Sequence, residues 1–173
     1  DWSTAGINVT HRHWLPMGSS GDLTLAYRVG FDAHGEGMPF FQQHILGGSQ
    51  WVDLGGNIAL RGLPNGRYRG YRVLYGSVET RWRAGTARFD ETQLDLLLVP
   101  YVDWGRVWTP GESDEPLHLH GTAGTGLRLI YNRLFVARLD VGLGLEEFRQ
   151  PDPADAQDIH ERKPVLGIYV LVG

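Results

Sequence analysis

The stretch Phe135–Glu146, FVARLDVGLGLE, alternates apolar residues with charged residues and glycines. One set of alternate positions holds only apolar side chains, and the other set includes Arg138 and Asp140. Because successive side chains of a β-strand point to opposite faces, this period of two predicts a strand with one apolar and one polar face. The segment Leu23–Asp32 has the same pattern, with Arg28 on its polar face.

The period of two recurs along nearly the whole chain, and helical periodicity is almost absent. Short connections such as Asn132–Arg133 alternate with long polar ones such as Trp108–Pro116. Membrane barrels sort their connections in this way, with short turns at one rim and long loops at the other.

An eighth strand is placed between Phe40 and Leu54, in addition to seven clearer ones. The seven predicted strands are Ile7–Leu15, Leu23–Asp32, Val73–Arg83, Gln93–Val107, Leu117–Tyr131, Phe135–Glu146 and Val165–Val172. The predicted fold is therefore all-β, an antiparallel transmembrane β-barrel of about eight strands per chain.

Composition limits the domain count and the functions of the chain. The 173 residues fit one domain, so residues 1–173 are treated as a single barrel. A net charge of −4 argues against a nucleic-acid partner. Cysteine is absent, which excludes thiol catalysis and zinc–thiolate sites, and no serine lies in a Gly-x-Ser-x-Gly context. We expect neither an enzyme activity nor a cofactor.

Two environments can produce an alternating pattern. In a soluble barrel or sandwich the apolar face is the interior, whereas in a membrane barrel it faces lipid and the polar face lines the lumen. Glycines interleaved with the charges favour the membrane barrel, because a solvated surface seldom needs glycine and a packed lumen does. Aromatic residues near the strand ends are typical of the membrane interface. The predicted lumen-facing charges are Arg28, Arg81, Arg128, Arg138, Asp140 and Glu146.

A long loop rich in glycine and arginine, at about residues 36–71, interrupts the strands. It contains the sequence LRGL at residues 60–63 and the sequence GRYRG at residues 66–70. Glycine is favoured where a backbone takes a positive φ or approaches another backbone closely, so this loop is predicted to be folded and to position Arg61. A surface loop in which Arg61 is solvated is the alternative.

An ordered series of motifs covers nearly the whole chain, and no single one is specific. The series is Leu46-Gly47-Gly48, Leu60-Arg61-Gly62-Leu63, Arg67-Tyr68-Arg69-Gly70, Glu79-Thr80-Arg81, Tyr101-Val102-Asp103-Trp104-Gly105, Gly124–Arg128 and Arg138–Gly142. In this order it resembles the C-terminal half of the bacterial surface antigen family, which includes the outer-membrane barrel-assembly and two-partner-secretion barrels. The resemblance implies a bacterial outer-membrane location, contact with outer-membrane lipid, and a pore or a module for protein translocation or insertion, with a client polypeptide as partner.

The resemblance also implies a specific ion pair. In the family, the arginine of the loop's Arg-Gly motif reaches back into the lumen and pairs with the aspartate of an aromatic-x-Asp-x-Gly motif on a neighbouring strand. Carried over by motif, Arg61, followed by Gly62, pairs with Asp103, and Glu79 is a further acceptor. A guanidinium can bind a carboxylate through two parallel hydrogen bonds, which suits such a pair. We call residues 60–63 the latch.

Barrel size predicts a homodimer. Members of the family have sixteen strands, whereas the interior of an eight-stranded barrel is just wide enough for its own side chains. A loop of this length does not fit inside eight strands, so we expect two copies to combine their strands into one wider barrel.

Two other functions stay open at this stage. One is a structural or anchoring barrel whose loop plugs the lumen. The other is a soluble antiparallel barrel that binds a ligand or a metal at His118 and His120, which lie on one strand face. No third ligand follows at a supportive spacing, so we expect no metal site.

Overall fold

The computed structural model describes residues 5–35, 44–46, 60–63, 68–108, 119–145 and 166–172. These residues are all-β. The strands are β1 (Gly6–Met17), β2 (Leu23–His34), β3 (His44–Leu46), β4 (Tyr68–Gly70), β5 (Arg72–Phe89), β6 (Thr92–Trp108), β7 (His120–Tyr131), β8 (Phe135–Gly144) and β9 (Leu166–Val172). In this part of the chain there is no helix of the length and apolarity that crossing a membrane requires.

Seven of the strands form one antiparallel sheet in the order β1-β2-β5-β6-β7-β8-β9. The all-β antiparallel fold predicted from the period of two is therefore confirmed. β3 and β4 form a separate two-stranded ribbon. The eighth strand placed between Phe40 and Leu54 corresponds, within the described residues, to the three residues of β3, which do not join the main sheet.

The short turns gather at one end of the sheet. β1 turns into β2 through Gly18 and Gly21, whose φ angles are 76° and 69°. β7 turns into β8 through residues 132–134, in which Asn132 and Arg133 have φ angles of 47° and 59°, the positive values of a type I′ turn. β5 turns into β6 through a two-residue connection in which Asp90 has a φ of 50°. The longer connections after β2, β6 and β8 all leave from the opposite end.

The two faces of the sheet differ sharply in polarity. We call the face that carries Asp103 the inner face and the opposite one the outer face. Inner-face side chains that are buried include Asp32, Ser77, Asp95, Asp103, Thr122 and Asp140. Outer-face side chains that are exposed include Val29, Val78, Trp82, Leu96, Val102, Leu127, Leu129, Leu139 and Leu143. This distribution is the reverse of that in a soluble protein, where large apolar side chains are buried and charges are exposed.

The outer face carries almost no charge. Along β2, β5, β6, β7 and β8 the register places charged residues on it only at Arg72 and Arg106. Both lie near the end of the sheet from which the longer connections leave. The outer face of β1 carries His11 and His13, which pack beside Tyr27 of β2. The rest of the outer face in these strands is an uncharged, mainly apolar band.

The main sheet ends at β1 and β9. No pairing between these two strands is found within the described residues, so the sheet is open and the closed barrel stays a prediction. Six successive antiparallel pairings separate β1 from β9. Because an even number of reversals restores the original direction, the two edge strands run parallel to each other.

Candidate functional site

The latch binds the inner face through Arg61 and Asp103. The guanidinium donates from Nε to Oδ2 of Asp103 at 2.8 Å and from Nη2 to Oδ1 at 2.7 Å. The backbone N–H of Arg61 also donates to Oδ2, at 3.1 Å. Both residues are buried. This is the two-pronged geometry in which arginine binds a carboxylate most strongly.

Two side chains of β5 complete the set of acceptors around Arg61. Nη2 donates to Oγ of Ser77 at 3.1 Å, and Nη1 donates to Oε2 of Glu79 at 3.2 Å. Ser77 in turn donates to Oδ1 of Asp103 at 2.6 Å. The register places Ser77 directly opposite Asp103, so β5 and β6 together hold the guanidinium.

An aromatic ring lies against the same guanidinium. Cζ of Arg61 is 3.5 Å from the centroid of the Tyr101 ring, a cation–π contact. Tyr101 precedes Asp103 by two residues on β6 and therefore shares its face. Burial alone lowers the pKa of the Arg61 guanidinium, but the hydrogen bond and the charge of Asp103 raise it above its usual value. Arg61 consequently keeps its charge inside the site.

Glycines let the latch backbone approach the sheet. Gly62 has a φ of 108°, a backbone conformation that residues with a side chain rarely adopt. A Cβ on Gly62 would lie 2.8 Å from the carbonyl carbon of Gly142 in β8. A Cβ on Gly142 would lie 2.6 Å from the carbonyl oxygen of Arg61. Two residues further along β8, a Cβ on Gly144 would lie 2.7 Å from Cδ2 of Leu63. The latch therefore lies directly on the backbone of β8.

Apolar contacts hold the neighbouring parts of the loop against the same face. A buried cluster joins the loop to β5 and consists of Leu46, Leu60, Leu63, Val73 and Tyr75. Tyr68 of β4 stacks on His120 of β7 with ring centroids 3.7 Å apart. The described parts of the loop thus contact β5, β6, β7 and β8, four of the seven strands of the main sheet.

A second group of charges lies on the inner face beside the latch. Asp140, which is buried, forms ion pairs with Arg128, at 2.7 Å, and with Arg138. Arg128 and Arg138 are direct neighbours across β7 and β8. Glu79 accepts from Nε of Arg81 at 2.7 Å in addition to its contact with Arg61. Glu79 therefore connects Arg61 of the latch to Arg81 of β5.

The structure brings most of the predicted site residues together. Arg61, Gly62, Asp103, Glu79 and Arg81 form one cluster, and Arg128, Arg138 and Asp140 form the second. Arg28 lies on the inner face opposite Ser77, and its Nε atom is buried with no hydrogen-bond partner among the described residues. Glu146 lies outside the described residues.

Sequence reasoning missed two contributors to the site. Ser77 was not singled out, because its position opposite Asp103 depends on the register of β5 against β6. Tyr101 was recognised only as the aromatic residue of a motif, although its spacing from Asp103 already placed both on one face.

The histidine pair considered as a metal site does not form a visible cluster. His118 lies outside the described residues, and His120 stacks on Tyr68. Within the described ranges, no three His, Asp or Glu side chains are grouped so that they can hold a metal ion.

Comparison with known proteins finds no relative. No protein-family model matches this sequence, and neither the curated proteins nor the solved structures give a match. The resemblance to the surface antigen family therefore stays a prediction that rests on the motifs.

Proposed function

We propose that this chain forms part of a bacterial outer-membrane β-barrel of the surface antigen type, in which the latched loop controls a pore or a lumen for protein translocation or insertion. The single observation that supports this best is the reversed polarity of the sheet. Buried carboxylates and arginines lie on one face, and exposed leucines and valines lie on the other. A hydrocarbon solvent on the outer face accounts for both.

The dimensions of the apolar band suit a bilayer. On β6 the uncharged outer-face positions run from Leu94 to Trp104. A tilted transmembrane strand needs about 9–11 residues to cross the hydrocarbon core. In water, an exposed apolar surface of this extent is rare on a monomeric protein.

Aromatic side chains of the outer face lie towards both ends of this band. Phe89, Tyr131 and Phe135 are exposed near the end with the short turns. Phe31 and Trp108 meet edge to face near the other end, with centroids 6.5 Å apart. Aromatic girdles at the two interfaces are a feature of outer-membrane barrels.

The latch supplies the proposed control. Separating Arg61 from Asp103 leaves two buried charges without a partner, which is energetically costly. The ion pair therefore holds the loop in one position. In that position the loop covers the inner faces of β5 to β8 and narrows the space through which a solute or client chain passes. Release of Arg61 is the step that clears it.

A second candidate function is a structural barrel that the loop plugs permanently. The loop contacts the sheet broadly, because Arg61 binds Asp103 of β6 and Tyr68 stacks on His120 of β7. This breadth favours a plug. Single-channel recording of the wild type and of Arg61→Ala in planar bilayers separates the two. A pore conducts already in the wild type, whereas a plug conducts only in the variant.

We also propose that a second copy of the chain closes the barrel. The inner face accommodates a backbone segment, the latch, and a barrel of about eight strands or fewer has no room for one beside its own side chains. Two copies inserted in the same direction place β1 of one beside β9 of the other, in a parallel seam, because β1 and β9 run parallel within each copy.

Extraction and migration test the membrane assignment. The protein is expected to partition with outer membranes, to need detergent for extraction, and to migrate differently on gels before and after boiling. Purification without detergent as a monodisperse protein contradicts the proposal and favours the soluble antiparallel barrel with a ligand at His120.

A further inference from the structure

Three arginines form one row across four neighbouring strands of the inner face. Arg83 of β5 lies opposite Leu97 of β6, Leu97 lies opposite Arg128 of β7, and Arg128 lies opposite Arg138 of β8. Arg81 lies on the same face, two residues before Arg83. We call Arg81, Arg83, Arg128 and Arg138 the arginine belt.

Three of the four belt side chains are more accessible than the carboxylates near them. The side chains of Arg81, Arg83 and Arg138 are 42%, 46% and 29% exposed, whereas that of Arg128 is 12% exposed. Those of the carboxylates Glu79 and Asp140 are 14% and 0% exposed. The space in front of the belt therefore meets mainly positive charge.

Three inner-face carboxylates, Glu79, Asp95 and Asp140, lie near the four arginines and are less accessible than Arg81, Arg83 and Arg138. Asp22, in the turn after β1, also approaches the belt, at 3.5 Å from Arg83, and this pair is partly exposed. The accessible charge in front of the belt is therefore mainly positive, although the whole chain has a net charge of −4. Like charges directly opposite on neighbouring strands, such as Arg128 and Arg138, destabilise a sheet. Asp140 offsets this repulsion in part, because it forms ion pairs with both arginines.

The belt lies between the latch and the end of the sheet with the short turns. Along β6, Leu97 in the row of the belt is separated from Asp103 by six residues, about 20 Å of strand. Anything that moves along the inner face past the latch must also pass the belt.

We propose that the arginine belt is a binding site for small multivalent anions and makes the lumen anion-selective. Rings of arginine or lysine are the usual lining of anion and phosphate pores, and low-dielectric walls strengthen their field. Guanidinium groups bind phosphate and carboxylate groups with two parallel hydrogen bonds. This inference rests on the proposed function only in that it needs an enclosed inner face.

Calorimetric titration of the detergent-solubilised protein with inorganic pyrophosphate tests the binding site directly. Because a hydrogen bond to a charged group contributes about 1.5–3 kcal/mol, each lost guanidinium contact should weaken binding about tenfold or more. The double variant Arg83→Gln/Arg138→Gln is expected to lose most of the binding, and rising salt should weaken it in the wild type. Arg128 stays in place to pair with Asp140 in this variant. The matched control is Arg106→Gln on the outer face, which should bind as the wild type does.

Absence of binding at low salt, or equal binding by the double variant, overturns the proposal. Comparing the heat-modifiable migration of the double variant with that of the wild type shows whether it is folded. If it is not, single variants at Arg83 and Arg138 replace it.

Reversal potentials in asymmetric potassium chloride test selectivity. They are measured on Arg61→Ala, in which the latch no longer obstructs the path, and on the same variant with both belt substitutions. Preference for chloride that falls or reverses when the belt is removed supports the proposal. A cation-selective or unselective current in Arg61→Ala overturns the belt and leaves the pore intact. No current in either the wild type or Arg61→Ala overturns the pore instead, and the calorimetric titration then decides on the belt alone.

Discussion

The carbonyl oxygen of Arg61 occupies the space in which a side chain on Gly142 would begin, because a Cβ built there would lie 2.6 Å from it. The charged contact of the latch with Asp103 and its close contact with β8 are therefore coupled. Arg61 reaches Asp103 on β6 while its own backbone rests on Gly142, so we expect a change at Gly142 to disturb the ion pair. The arginine of the loop and the glycines of the sheet together hold the latch on the inner face.

Gly142→Ala is expected to loosen the latch without touching any charge. The added methyl group overpacks the contact with Arg61 and Tyr101, which typically costs about 1–3 kcal/mol. Because the chain has no cysteine, a single Leu63→Cys reporter, placed at a buried position, measures latch opening by maleimide labelling. Labelling should rise roughly fivefold or more.

The matched control for this variant is Gly121→Ala in the same reporter background. A Cβ on Gly121 would meet only Leu145, at 3.4 Å, on the outer face. Equal labelling of both variants contradicts the coupling between Arg61 and Gly142.

Asp103→Asn is expected to destabilise the protein strongly. It replaces the buried acceptor of the Arg61 guanidinium with a neutral amide, and breaking a buried ion pair costs about 3–5 kcal/mol. The temperature at which the heat-modifiable form unfolds should fall, and the Leu63→Cys reporter should become accessible. Arg61→Lys should show a smaller loss, because lysine keeps the charge but not the two-pronged geometry.

A double variant tests whether the pair acts as a unit. Arg61→Met combined with Asp103→Leu removes both charges and should recover part of the lost stability. Losses that simply add would show that the two residues contribute independently.

The strands were accessible from the sequence because their pattern is local. A period of two needs only the residues of one strand, and Asn132–Arg133 marks a turn by its position between two such runs. β7 was predicted to begin at Leu117 and begins at His120 in the structure. β3 was placed only within the wide range from Phe40 to Leu54, and β4 was missed, because each strand has three residues, too few to show a period.

The site was harder to derive because it depends on register. The motifs name Arg61 and Asp103, but the position of Ser77 follows only once β5 is aligned with β6, and that alignment shifts at a bulge between Arg83 and Gly85. The contact of the latch with Gly142 brings together residues far apart in the chain. Alternation identified the inner face of each strand, and only the pairing of the strands turned those faces into a site.

Leu127→Arg is expected to prevent membrane insertion. Leu127 lies on the outer face of β7, and an arginine on the lipid face costs about 2–4 kcal/mol near the bilayer midplane. The matched variant is Ile130→Arg on the same strand, where the inner face offers Asp95 directly opposite. The folded fraction after refolding into vesicles measures both. If the arginine is tolerated at Leu127 and not at Ile130, the outer face is a protein core and the membrane assignment is wrong.

Cross-linking in a mixture of two single-cysteine proteins tests closure by a second copy. Val9→Cys is placed on β1, and Ile168→Cys on β9, both exposed positions of the edge strands. If two copies close one barrel, a short bis-maleimide should join the two proteins in membranes, and neighbouring cysteine positions should cross-link in the order that a parallel seam dictates. Val102→Cys, exposed in the middle of the sheet, serves as the control and should not cross-link. The parallel seam is contradicted if the order of the cross-links fits antiparallel strands. It is also contradicted if the protein has a monomeric mass in detergent and no cross-link forms. Because β1 and β9 run parallel within each copy, two copies that are inserted in the same direction can meet only in a parallel seam between β1 and β9.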